Sequence, residues 1–215
     1  ALEVAELAYR TIVARQLSKV YGPLGYRDAS RFRDGARFAA QIRHFDETIR
    51  GSHEPCIEHF KISYGPTQVP IWALVEVETF GPITRLFDNA GADLQSAIAD
   101  EYGIRPYTLK SYLQHLRVLR NFCAHHARLF GRMFYGYRPF VEWSTGGTHP
   151  DTRRLFSQFL FVYRMIKGTP PVCFDREDWK ARVCRAFDSV PKVAVSDIRR
   201  ISGIPGNAAS SPLWI

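Results

Sequence analysis

The chain has 215 residues, 46% hydrophobic and 23% charged, a balance that supports a packed core and excludes global disorder. Against 21 acidic residues stand 29 basic ones, a formal charge of +8; since Lys19, Lys61, Lys110, Lys167, Lys180 and Lys192 are its lysines, the excess is carried by arginine, whose planar fork of donors suits phosphate. No run of eighteen apolar residues is available to span a bilayer and the N-terminus lacks the layout of a signal peptide, so a cytoplasmic protein with no membrane partner is expected.

Leu7, Ala8, Ile12, Val13, Leu17 and Val20 recur at helical spacing, with Glu6 and Arg10 four apart, and predict an amphipathic helix over residues 2–21 ended by Gly22-Pro23. Phe38, Ile42, Phe45 and Ile49 give a second stripe, stopped by Gly51. Pro55 opens a third helix, closed by Gly65-Pro66. Pro70 opens a run through Trp72, Val75 and Phe80 that is expected to break at Gly81-Pro82, followed by a short helix from Pro82 to Phe87. Asp93 can cap a helix ending at Gly103, and Pro106 starts a long helix expected to reach about Gly131. Met133 to Trp143 reads as loop or short hairpin and Thr145 to Pro150 as a surface loop. Helices follow over 151–167 and 175–187, the last with an Asp175-x-x-Asp178 start, and then an extended tail from Gly203. Every long periodic segment is helical, so the fold class is all-α. Cys56, Cys123, Cys173 and Cys184 are widely spaced and read as reduced, mostly buried thiols.

The chemistry is concentrated in the run Leu116 to Phe130, where arginines, an asparagine and two histidines interrupt an apolar helix pattern. Ionisable groups among Leu, Phe and Cys need a reason, and imidazole beside guanidinium suits proton transfer next to a phosphodiester. On an unbroken helix Arg117, Asn121, His125 and Arg128 form one polar stripe while Leu116, Leu119, Cys123 and Phe130 form an apolar one. Arg120 then lies about 140° from His125, so the two converge only at a helix irregularity or across an interface, and a two-fold dimer is expected.

Arg120-Asn121-Phe122-Cys123-Ala124-His125-His126 resembles the Arg-Asn-x-x-Ala-His-His signature of Abi-like (abortive-infection) proteins, a branch of the HEPN superfamily of helical ribonucleases. Tyr21-Gly22-Pro23-x-Gly25-Tyr26, Glu54-Pro55, the stretch Pro70 to Gly81 and Arg85-Leu86-Phe87 resemble the same family in order, and Gly203 to Asn207 with Pro212-Leu213-Trp214 resemble its closing segment. The family's N-terminal Asn-Tyr-Tyr-Arg-Leu-like run is absent. With no initiator Met and an abrupt helical start, the chain is expected to begin inside a longer protein. The reading is thus a HEPN-like helical core over 1–131 and a C-terminal helical extension and tail over 132–215.

The resemblance implies metal-independent RNA cleavage without cofactor, in phage defence or as the toxin of a toxin–antitoxin pair. His125 would be the general base or acid, and Arg120 would stabilise charge on the transition state. Asn121 would contact phosphate or hold the imidazole tautomer, with His126 and Arg128 as secondary contacts. Arg117, Arg128 and Arg132 are candidates for RNA binding. Glu76 either partners Arg120 or His125 or makes an ordinary surface ion pair. Cys123 and His126 could form half a zinc site, but no second ligand pair is visible, so no metal is expected. His44, His53 and His115 read as ordinary histidines, while Arg31, Arg33, Arg37, Arg43, Arg153-Arg154 and Arg199-Arg200 could guide an RNA backbone. The runner-up function is a scaffold that holds a structured or non-coding RNA without cutting it, and a third is a protein-interaction domain whose motif supports the dimer.

Overall fold

Proline and glycine punctuate the chain where its helices begin and end. A computed structural model describes residues 1–134, 151–169, 173–189, 199–206 and 208–214. These form α1 (Leu2–Tyr21), α2 (Gly35–Gly51), α3 (Pro55–Tyr64), α4 (Ile71–Val77), α5 (Phe80–Asn89), α6 (Ala92–Asp100), α7 (Pro106–Ala124), α8 (Leu155–Met165) and α9 (Arg176–Asp188), joined by short 3-10 turns. Among the described residues the one β-like pairing is an isolated bridge between Phe32 and Ala90, so the fold is all-α as expected. None of the described helices is long and apolar enough to cross a membrane. Contacts divide the chain into two units, Glu6–Lys110 and Ala1–Ala5 with Ser111–Ile215, so α1 and α7 contribute to both.

In the first unit, Tyr9, Val13 and Leu17 of α1 are fully buried with Phe45 and Ile49 of α2, Ile57, Leu74, Ile83, Leu86, Leu94 and Ile98. Each such side chain contributes about 2 kcal/mol by leaving water. Tyr26 packs edge-on to Phe45 and donates its hydroxyl to the Val69 carbonyl at 2.7 Å. Arg10 donates to the Val75 carbonyl at 2.8 Å, satisfying an acceptor that the last turn of α4 leaves without a helical partner. Asn89 clamps Asp34 from both sides: its amide donates to the Asp34 carbonyl at 3.0 Å and its oxygen accepts the Asp34 N–H at 2.9 Å. Beside this clamp, Gly91 N–H donates to the Arg31 carbonyl, and a Cβ on Gly91 would sit 2.8 Å from the Tyr21 hydroxyl. A side chain there would force the Tyr21 hydroxyl and the Asp93 carboxylate to shift.

The break expected at Gly81-Pro82 falls earlier. α4 stops at Val77, and Phe80, Gly81 and Pro82 instead form the first turn of α5, where a missing N–H costs nothing. The junction is held by Glu78, whose side chain is buried and accepts from Thr79 N–H at 2.7 Å and from the Thr48 hydroxyl at 3.1 Å, with His44 Nε2 at 3.1 Å. Asp93 lies in the first turn of α6 after an N-cap Gly91, rather than capping the helix itself. Asp175 does cap α9, accepting from Asp178 N–H. α8 starts at Leu155, four residues after the expected Asp151. The expected loop or hairpin from Met133 to Trp143 lies, beyond Phe134, outside the described residues, and the expected surface loop Thr145–Pro150 does so entirely.

In the second unit, Leu116 and Leu119 of α7 and Leu155, Phe156, Leu160 and Phe161 of α8 are buried. The closing segment is more ordered than an extended tail. Ala208–Ser210 makes a 3-10 turn, and Trp214 is buried edge-on to Phe156, Tyr163 and Trp179, with its indole N–H donated to the Ala208 carbonyl.

His115 proves to be a core residue. It stacks on Phe161 with ring centres 4.4 Å apart, and its Nδ1 lies 3.0 Å from the Gln158 amide oxygen, so Nδ1 carries the proton and Nε2 is buried with no partner. Burial pulls its pKa down to about 4, partly offset by the Gln158 bond. The unfolded chain therefore takes up a proton near 6.5 while the folded chain resists until about 4, so stability falls as pH drops through that window. Denaturant unfolding of the wild type should lose about 2 kcal/mol from this residue between pH 7 and pH 5. In His115→Asn, which keeps a donor near the Nδ1 position but does not titrate, that pH-dependent part should vanish whatever the absolute stability.

Candidate active site at the end of the motif helix

α7 buries Leu116 and Leu119; Arg117 and Arg120 are half-buried and Asn121 is exposed. The helix was expected to run to about Gly131, but it ends at Ala124. His125 N–H still donates to the Asn121 carbonyl at 3.0 Å. His126 then takes the left-handed conformation, φ 50°, and donates to the Cys123 carbonyl at 3.1 Å, while Ala127 donates to the Phe122 carbonyl at 2.8 Å. This nested pair of bonds is a Schellman stop. Periodicity could not foresee it, because the residue that stops the helix is a histidine rather than a glycine.

Beyond the stop the chain folds back. A second turn uses Gly131 at φ 70°, the Arg132 guanidinium lies 4.1 Å from the centre of the Phe122 ring, and Phe134 meets Phe122 edge-on at 5.8 Å while donating its N–H to the Arg153 carbonyl. His125, His126 and Arg128 are exposed at the resulting corner. The single stripe from Arg117 to Arg128 therefore does not exist as an unbroken helix face: Arg117, Arg120 and Asn121 are helical, His125 closes the last turn, and Arg128 lies past the reversal. The irregularity begins at His126, after both Arg120 and His125, so the angular separation expected between those two stands.

Many arginines elsewhere in the chain are paired. Arg31 is paired with Asp28 at 3.3 Å, Arg37 with Asp34 at 3.2 Å, Arg153 and Arg154 with Asp151 at 3.0 and 3.2 Å, and Arg199 with Asp188 at 2.6 Å. Arg33 donates to Gln95. Most of the arginines expected to guide an RNA backbone are thus already answered within the fold. Among the described residues, Arg117, Arg128 and Arg132 have no carboxylate partner. They accompany the C-terminal end of α7, whose dipole favours cations.

Glu76 belongs to the first unit, where it is exposed on α4 and lines an open groove with Glu47, Ser52, His53 and Glu54. Sequence reasoning missed Glu78 altogether and gave His44 no partner, although the two meet. A glutamate between two apolar helices was the available signal. The expectation of mostly buried thiols is overturned: Cys56, Cys123 and Cys173 are exposed and Cys184 is buried. Cys123 lies in the last turn of α7, and partial burial raises its thiol pKa.

The family model for Abi-like proteins matches residues 1–131, which takes in α1 to α7, the helix stop and Gly131. The chain belongs to the Abi-like family. No curated protein and no solved structure matches it. Membership points to an abortive-infection type of role for this Abi-like chain, and the matched segment ends one residue before Arg132, with α8 and α9 beyond it.

A thiol-specific reagent such as Ellman's should react with three cysteines of the native protein and with Cys184 only after unfolding. Among the three, Cys123 should react more slowly near neutral pH than a free thiol, because less of it is thiolate. Reaction of all four thiols without denaturant would contradict the burial of Cys184.

Proposed function

We propose that this Abi-like protein is a HEPN-type, metal-independent endoribonuclease acting in the cytoplasm, in phage defence by abortive infection or as the toxin of a toxin–antitoxin pair. The observation that carries the reading is an exposed imidazole, His125, at the end of α7, with Arg117, Arg128 and Arg132 nearby in sequence and unpaired with any carboxylate among the described residues. Guanidinium forks without a carboxylate partner favour phosphate, and an exposed imidazole, which can accept or donate a proton, is suited to moving the one that phosphodiester cleavage must relocate.

In this reading the ribose 2′-oxygen attacks the adjacent phosphorus and the bond from phosphorus to the 5′-oxygen breaks. His125 takes the 2′-hydroxyl proton or supplies one to the leaving oxygen, and Arg120 stabilises the added negative charge in the transition state. Asn121 contacts phosphate or holds the imidazole tautomer. Arg117, Arg128 and Arg132 position the flanking backbone. Residues 1–131 form the functional core and 132–215 an extension. A homodimer brings two such corners together and supplies the second acid–base group from the partner.

Arg120→Ala and His125→Ala should each leave a folded protein, by circular dichroism, while lowering RNA cleavage by about a hundredfold or more. Products should carry 2′,3′-cyclic phosphate and 5′-hydroxyl ends in the presence of EDTA. Chelator-sensitive cleavage restored by magnesium, with 5′-phosphate ends, would overturn the role of His125. The same arginines could hold RNA without cutting it. RNA affinity that falls steeply with salt, lost in Arg117→Ala and Arg132→Ala, combined with no cleavage by the wild type, would select that scaffold reading instead.

A further inference from the structure

Where other helix ends of this chain are followed by a residue at positive φ, that residue is glycine. Gly22 after α1 and Gly103 after α6 have φ of 82° and 62°, and Gly65 and Gly203 also occupy positive φ. Among the described residues, His126 is the non-glycine residue found there, at φ 50°. A side chain with a Cβ is disfavoured in this region, and histidine tolerates it better than most, whereas β-branched residues fit worst. What the conformation accomplishes is visible in the bonds. The His126 and Ala127 amides turn back onto the Cys123 and Phe122 carbonyls, and the chain reverses so that Arg132 returns to the Phe122 ring.

His125 still has its amide in the helical ladder, while its neighbour has left it. Two adjacent residues on either side of such a stop send their side chains away from the backbone in different directions, so the pair does not form a double imidazole aimed at one point. We propose that His126 acts through its backbone: it is a positioning residue that ends α7 and thereby sets the direction of His125, and its imidazole takes no part in proton transfer. This deepens the ribonuclease reading and rests on it for its kinetic arm.

The test compares His126→Gly, His126→Asn, His126→Ala and His126→Val, with His125→Ala as reference. It reads RNA cleavage and the NMR signal of the His125 ring Cε1–Hε1 group. Gly and Asn accept the left-handed conformation without imidazole chemistry, and both should cleave within about threefold of wild type with the His125 signal in place. Val should lose about tenfold or more with the His125 signal displaced, and Ala should fall between. A Gly variant as inactive as His125→Ala, with its His125 signal unmoved, would show that the imidazole itself is required and overturn the proposal. A Val variant with wild-type cleavage and an unmoved signal would show that the stop is not needed and overturn it equally. If Val does not fold, Ala carries the comparison: an Ala variant with wild-type rate and unmoved signal overturns the proposal, and an intermediate rate with a partial displacement supports it. Should the wild type cleave no RNA, the ribonuclease reading fails by itself, and the His125 signal across Gly, Ala and Val still decides whether His126 positions it.

Discussion

The three amide bonds that close α7, from His125, His126 and Ala127 back to Asn121, Cys123 and Phe122, determine where the chain leaves the helix and so where His126 and the arginines after it lie. Had the helix continued, Arg128 would have shared its surface with Arg117, and Arg132 would have been carried at least a turn further along the axis. Stopping the helix instead leaves two histidines at an exposed corner and brings Arg132 back beside the last turn. The reversal is sealed by Arg132 over Phe122 and by Phe134, which is buried and bonded to Arg153. The corner is thus open on its polar side and anchored on its apolar side.

That anchoring extends down the helix. One and a half turns before Arg120, His115 is locked between Phe161 and Gln158, and Gln158 in turn donates to the Thr152 carbonyl at 2.7 Å. A buried imidazole with a single good partner fixes the rotation of α7 relative to α8 more narrowly than Leu116 or Leu119 alone could, since apolar contacts tolerate sliding and a hydrogen bond does not. Two histidine environments ten residues apart therefore have opposite uses. The inner one is neutral and structural, and the outer one is solvated and available.

Much of the fold was legible because the chain marks its helices with residues whose backbone preferences are strong. Pro55, Gly51, Gly65, Pro106 and Asp175 were read correctly as starts, stops or caps. The failures share a cause. Gly81-Pro82 looks like a break, yet in a first turn proline is permitted, and the true break was enforced by the tertiary partners of Glu78, which lie 30 and more residues away in sequence. His126 carries no local signal of a left-handed residue. The tail appeared extended because Trp214 finds its partners only in three dimensions. The signature run and the ordered matches through residue 131 located the candidate site, since residue identity survives where geometry is hidden. Which arginines were free could not be read: ion pairing depends on where Asp28, Asp34, Asp151 and Asp188 fall.

The clamp between Asn89 and Asp34 has a kinetic side. Helical proteins built from near-neighbour contacts fold fast, because little chain entropy is lost before each contact forms. Here a side-chain amide imitates a strand partner, and with the Phe32–Ala90 bridge and the Gly91 to Arg31 bond it ties together segments separated by 55 residues or more. α2, α3, α4 and α5 all lie inside the loop so closed. None of the bonds at its neck can form until both ends have met, which makes that encounter the natural bottleneck on the way to the first unit and the place where a faster or slower folding variant of this protein would be sought.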